Sequence, residues 1–169
     1  LLSGASIKSV GVVSVASGAT LDIRTGAAIA AGGDVITNGT IMASGAISAP
    51  VTVASGGVLK GAGSVGGVNL RSGGTVSPGD GVGELTAADG AANAWYGGAE
   101  FSFQFKNADT NTGLAGTQGT PGTDWDYLDL GTGSLTISAT TSERITIRID
   151  SFSSLTSMIS TRAPCFAKS

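Results

Sequence analysis

The sequence predicts an all-β fold, a three-sided parallel β-helix (β-solenoid) closed at its C-terminal end by a larger β section. Three observations carry this. One pattern is written twice at a fixed offset: Val51, Val53, Ser55, Gly56, Leu59 and Val65 recur 17 residues later as Val68, Leu70, Ser72, Gly73, Val76 and Val82. A constant offset of this kind marks a stacked array, whose copies bury their apolar side chains only against one another. Gly numbers 28 and charged residues make up only 12% of the chain, yet hydrophobic residues make up 41%. A linker of that polarity would lack regularly spaced Val, Ile and Leu, so the composition points to folded β structure with Gly and Ser at its turns. Bulky residues, finally, are confined to one end, because every aromatic residue lies between Trp95 and Phe166.

The elements follow from the strongest copies outward. Val15, Ile36, Val53 and Leu70 form one column, each two residues before a Ser-Gly or Asn-Gly turn. A second column is Leu21, Ile41, Leu59 and Val76, and a third is Ile29, Ile47, Val65 and Val82. Three short apolar clusters per copy, separated by Gly-bearing turns, describe a coil with three strands and three corners. The unit is too short for a propeller blade and carries no helical period. Coils of this kind stack in parallel at about 4.8 Å per turn, with the columns filling the bore and the intervening polar residues facing water. Asp34 conflicts with the pattern, since it falls where Val13, Val51, Val68 and Leu85 sit in other copies. A buried isolated carboxylate is costly, so Asp34 is expected to be displaced into solvent near Gly32-Gly33.

Leu85 begins a fifth copy, and about five coils are expected. Phe101, Phe103 and Phe105 alternate with Ser102 and Gln104 as a half-buried strand, and the same signal returns in residues 126–130, 135–137 and 145–149. This C-terminal part is expected to be either a cap or the last, larger coils, because an open stack leaves an unpaired edge. Residues 106–124 are turn-rich and aperiodic, which predicts a mobile loop. The pattern fades beyond Leu155, which predicts a tail. The whole of 1–169 is therefore read as one β-helix domain, with regular coils over 10–89, the aromatic section over 90–155 and the tail over 156–169.

Net charge is -3, from nine basic and twelve acidic residues. They are scattered, so no basic stripe exists to neutralise a phosphate backbone, and no nucleic-acid partner is expected. No run approaches the roughly 18 apolar residues that span a bilayer. The chain starts at Leu1 without a Met or a leader, and reads as a processed protein or a fragment. The absence of His removes Ser-His-Asp and Cys-His catalysis and imidazole-ligated metals. Cys165, the only cysteine, excludes an intrachain disulfide framework and reads as incidental.

At GGVLKGAGSVGGVNLRSGGTVSPGDGVGELT the chain resembles the autotransporter-associated β-strand repeat of bacterial passenger regions, and the later WDYLDL followed by GSLTI is similar to the segment that commonly succeeds such repeats. The resemblance covers roughly 50–150 and, more loosely, 10–50. It implies a right-handed parallel β-helix exposed at or beyond the outer membrane of a bacterium, and it supplies no catalytic residues. A translocator barrel, with its recurring strands of about ten residues, is not written in this sequence, nor is a hydrophobic sorting tail.

Other motifs have bland readings. Gly61–Gly66 matches GxGxxG, but another strand and turn follow where a nucleotide site requires a helix, so these are corner glycines. Asp124, Asp126 and Asp129 could offer oxygens to Ca²⁺, yet Asp126 and Asp129 have opposite strand parity and would point to opposite faces. Asp22, Arg24, Lys60 and Arg71 are too dispersed for the gathered acids and bases of a polysaccharide-cleaving enzyme. Trp95, Tyr96, Trp125 and Tyr127 could form a sugar-stacking platform, although packing inside the C-terminal section is preferred. Asn38-Gly39-Thr40 is read as a turn.

The prediction is a non-catalytic structural or adhesive module, an autotransporter-like passenger stalk, extracellular or on the bacterial surface. Catalytic, cofactor-binding and metal-binding residues are expected to be none. Partners are expected among host or matrix glycans or proteins, or through self-association, with an outer-membrane translocator or anchor outside this chain. The alternatives are a carbohydrate-binding module using the C-terminal aromatics and, less favoured, a polysaccharide lyase or hydrolase.

Overall fold

Short runs in which Val, Ile and Leu alternate with small polar residues bury one face only, and here each run is completed by the next turn of the chain. The computed structural model describes residues 1–9, 11–106 and 119–151. These form six successive coils of three strands each. The first coil is β1 (Ser6–Ser9), β2 (Val13–Val15) and β3 (Thr20–Ile23), and the second is β4 (Ala28–Ala31), β5 (Val35–Thr37) and β6 (Thr40–Ala43). The third is β7 (Ala46–Ile47), β8 (Val51–Val53) and β9 (Val58–Gly61), and the fourth is β10 (Ser64–Val65), β11 (Val68–Leu70) and β12 (Thr75–Pro78). Then come β13 (Glu84–Ala87), β14 (Ala92–Tyr96) and β15 (Glu100–Phe105), followed by β16 (Tyr127–Asp129), β17 (Ser134–Ser138) and β18 (Thr146–Ser151). Every third strand joins the same sheet, giving three six-stranded parallel sheets: a three-sided parallel β-helix. The stack holds six coils rather than about five, because residues 84–151 contribute two larger coils instead of a separate cap.

The bore is built as the columns require, with two corrections. Leu21, Ile41, Leu59, Val76 and Phe101 are stacked in register. The column of Ile29, Ile47 and Val65 continues to Ala87, not to Val82. Three positions separate Gly61 from Ser64, but eight separate their partners Pro78 and Thr86, so five extra residues bulge out at this corner and carry half-buried Val82 with them. The column of Val15, Val53 and Leu70 passes through Thr37, while Ile36 lies between Ser14 and Thr52 on the outer face. The corner after β5 is two residues shorter than the corner after β8, and its Gly39 follows the inward residue by two positions where Gly56 follows Val53 by three, so the inward residue is Thr37 and not Ile36. The same shift seats Val35 on Val13 and Val51 and leaves Asp34 exposed, as its charge demands.

Thr37 is fully buried among aliphatic neighbours, and its hydroxyl donates to the Gly39 carbonyl at 2.9 Å. That carbonyl also accepts from the Val58 N–H at 2.8 Å, so it stays satisfied without Thr37. Thr37→Val should therefore stabilise the fold, by about 0.5–1 kcal/mol in urea unfolding, as a lone hydroxyl gives way to a methyl of the same shape. A loss of stability would show that the hydroxyl pins the short corner.

Corner glycines set how closely coils approach. At Gly57 an added Cβ would collide with the Thr37 carbonyl of the coil beneath, and at Gly74 it would stand 2.6 Å from the Val53 carbonyl. Backbone oxygens cannot swing aside as side chains do, so this corner must lack side chains if the ladder is to stay closed.

Candidate functional site

Charges on the outside meet local partners instead of converging. Arg24 Nε lies 3.2 Å from Asp22 Oδ2, and Lys60 Nζ donates to Asp80 Oδ1 at 2.6 Å. The Arg71 guanidinium sits 4.1 Å above the Tyr96 ring, a cation–π contact between the fourth and fifth coils. Arg148 lies 2.9 Å from Asp150 and 4.0 Å from Glu100 on the outer face of the last sheet pair. Asp22 and Arg24 thus pair with each other, Lys60 lies two coils further along the same outer row of the sheet as Asp22, and Arg71 stands apart under the fifth coil.

The aromatic residues are divided in the same way. Trp95 points into the bore above Leu70, is only 8% exposed, and stacks on Phe101 with ring centroids 5.4 Å apart. Its neighbour Tyr96 faces outward by strand parity and is covered by Arg71. Trp125 is half-buried at the return corner, bridging to Phe105 and Pro121, while Tyr127 lies opposite Glu84 in another sheet. The four rings thus lie in different settings, in the bore, beneath Arg71, at a corner and in a second sheet.

Gly61, Gly63 and Gly66 pack against the backbone of residues 43–49 one coil below, as corner glycines do. Asn38 lies in the short corner, its side-chain amide donating to the Ser55 carbonyl at 3.4 Å. Most of the predicted 106–124 loop, the predicted 156–169 tail and Cys165 lie outside the described residues.

The aspartates near Trp125 have separate tasks. Asp124 accepts from the Thr120 N–H at 2.7 Å and Asp129 from the Gly131 N–H at 2.8 Å, each closing its own turn. Asp126 is buried, and its carboxylate accepts from the Gly83 N–H at 3.0 Å and the Gln104 N–H at 2.8 Å. Its own N–H donates to the Gln104 carbonyl at 2.7 Å. Asp126 therefore ties the start and the end of the fifth coil to the first residue of the sixth. Beside it opens a cleft of about 410 Å³ lined by Asp80, Gly81, Val82, Lys106 and Thr123. Asn93 plays the matching part on another side: its Oδ1 accepts from the Val68 N–H at 2.8 Å, and its Nδ2 donates to the Ser134 carbonyl at 3.1 Å. It links the fourth, fifth and sixth coils. The composition of its surroundings gives no hint of this role, because the partners are backbone groups 25 and 41 residues away. Among the described residues no group of three or more His, Cys, Asp or Glu is placed to hold a metal ion.

Burial pushes the Asp126 carboxyl up from 3.8 to about 6, against the pull of the Gln104 and Gly83 N–H donors. The folded chain therefore holds this proton more tightly than the unfolded chain does. The contribution is fully present below the ordinary value and is lost as pH rises through about 6. Stability should fall between these two values and level off above them. The expected change is on the order of 2 kcal/mol, allowing for water near this corner. Asp126→Asn should remove that part of the slope when unfolding is followed as a function of pH. An unchanged slope would place the titration elsewhere.

Comparison with known proteins gives no relative for this arrangement: no family model, no curated protein and no solved structure matches the chain.

Proposed function

We propose that this chain is a non-catalytic structural or adhesive module of a bacterial surface or secreted protein, a stalk segment of the passenger type. The observation that carries this reading is the continuous bore: inward columns, mainly aliphatic, run along all three sheets through the second to fifth coils, and five successive coil contacts are parallel ladders. A rod of this construction rises about 24 Å from first to sixth coil at the usual strand spacing. It resists bending because each inner coil is hydrogen-bonded on both sides. Locally paired charges on the outer faces support a spacer or contact surface better than a reaction centre, since catalysis needs acids and bases gathered within reach of one bond. The cell-surface setting rests on the sequence resemblance, and so do the translocator or anchor expected outside these residues and the host or matrix glycan or protein expected as partner.

Two measurements test this. Antibodies against the chain should label intact producing cells or their culture medium, and labelling that appears only after permeabilisation overturns the surface reading. Incubation with anionic and neutral polysaccharides should yield no unsaturated or reducing ends, and their accumulation overturns the non-catalytic reading.

A further inference from the structure

The sixth coil ends the described stack with its inward side chains uncovered. Ile137, Ile147 and Ile149 are 60%, 63% and 65% exposed, although they continue the columns in which Trp95 is buried and Phe101 and Phe103 are half-buried one coil earlier. Leu135 on the same end is exposed as well. In the sheet order β16, β17 and β18 are terminal, so each offers one unpaired backbone edge among the described residues. Strand edges are ordinarily guarded by Pro or by an inward charge. β18 has neither: its inward positions are Ile147 and Ile149, and its charges Arg148 and Asp150 stand on the outer face. The opposite end differs, because the Leu1 nitrogen donates to the Asp22 carbonyl, the Leu1 carbonyl accepts from the Arg24 N–H at 3.1 Å, and the Leu1 side chain packs on the core.

We propose that the sixth coil is a self-association surface, on which a second copy of this chain docks tail to tail with β18 pairing antiparallel to its own two-fold mate about Ile149. Charge selects this register. Antiparallel partners face the same side of the sheet, so inward positions must meet inward positions, and the two-fold must pass through a residue. Centred on Arg148 or on Asp150, it sets like charges directly opposite, which is destabilising. Centred on Ile147, it leaves Asp150 beyond the end of the partner strand. Centred on Ile149, it places each Arg148 opposite Asp150 of the second copy. These side chains already reach each other within one strand, at 2.9 Å. The two-fold also brings the exposed isoleucines of both copies together, removing a contiguous apolar patch from water. Head-to-tail stacking is disfavoured because Leu1 already occupies the free edge of β3 and the six-residue β18 is longer than the four-residue β3. This surface is read from the last coil alone and does not depend on the cellular role proposed above.

The test is the molar mass of the full 169-residue chain by sedimentation equilibrium, across a concentration series and with far-UV circular dichroism on each variant. The wild type should approach twice its 16.4 kDa at high concentration. Arg148→Asp and Asp150→Arg should each weaken association by at least about tenfold, since each opposes like charges twice across the two-fold. The double variant R148D/D150R should recover it, which no loss of folding can mimic. A wild type that stays at 16.4 kDa throughout overturns the proposal. So does a mass that climbs beyond the dimer, which would signal head-to-tail growth, and so does a dimer indifferent to both single reversals.

Discussion

Leu70→Asp is expected to abolish cooperative unfolding or to lower stability by several kcal/mol. Leu70 is fully buried, lies in register between Val53 of the third coil and Trp95 of the fifth, and belongs to the column that runs the length of one sheet. The carboxylate would have no cation within the bore, and an unpaired buried charge costs about 3–5 kcal/mol. A domain of this size has only about 5–15 kcal/mol to lose. The damage should also divide the stack, because each coil is stabilised chiefly by its neighbours, so the melt should broaden or split rather than only shift. Val53→Asp should behave alike. Urea or thermal melts read by circular dichroism decide the matter, and wild-type transitions in both variants would mean that these side chains do not form the bore.

Gly61→Ala should be the most damaging single-methyl change, at roughly 3–5 kcal/mol, summing a strained backbone and a clash that cannot relax. Gly61 has φ of +119°, which side-chain-bearing residues rarely adopt, and an added Cβ would strike the backbone N, C and O of Ala43 in the coil below. The residue cannot yield in the other direction either, since Gly61 and Gly79 exchange two backbone hydrogen bonds at 3.0 and 2.8 Å. Gly11→Ala is the control. Nothing lies within 4 Å of the methyl that this change would add, and its effect should stay within about 0.5 kcal/mol of wild type. Equal effects at both sites would remove the case for close coil contact as the reason for the glycines.

How far the fold is legible in the sequence depends on corner length. Where corners keep their length, partners stand 17 or 18 residues apart, as in Val51 to Val68, Ile29 to Ile47 and Leu59 to Val76, and there apolar alternation alone gives the register. It fails where a corner gains or loses residues. Ile36 is displaced by Thr37 because the short corner brings its glycine one position nearer the inward residue, and Val82 is displaced by Ala87 because a bulge intervenes. In the last coils the separation exceeds 40 residues, as in Trp95 to Ile137, so the aromatic strands read equally as a cap or as larger coils, and it is the pairing that shows them continuing the same three sheets. Asp126 and Asn93 were the least legible. Their partners are main-chain N–H and C=O groups, which every residue carries, so no residue pattern announces them.

Chain that enters and leaves at a corner does not alter the pairing above or below it. Leu85 is followed in its column by Leu128, 43 residues later, yet the two are adjacent rungs, just as Ile29 and Ile47 are. Distance along the axis is thus counted in strands, not in residues. Additions at such corners would enlarge the girth, carrying new side chains outward, while the span between the two ends of the rod stayed the same.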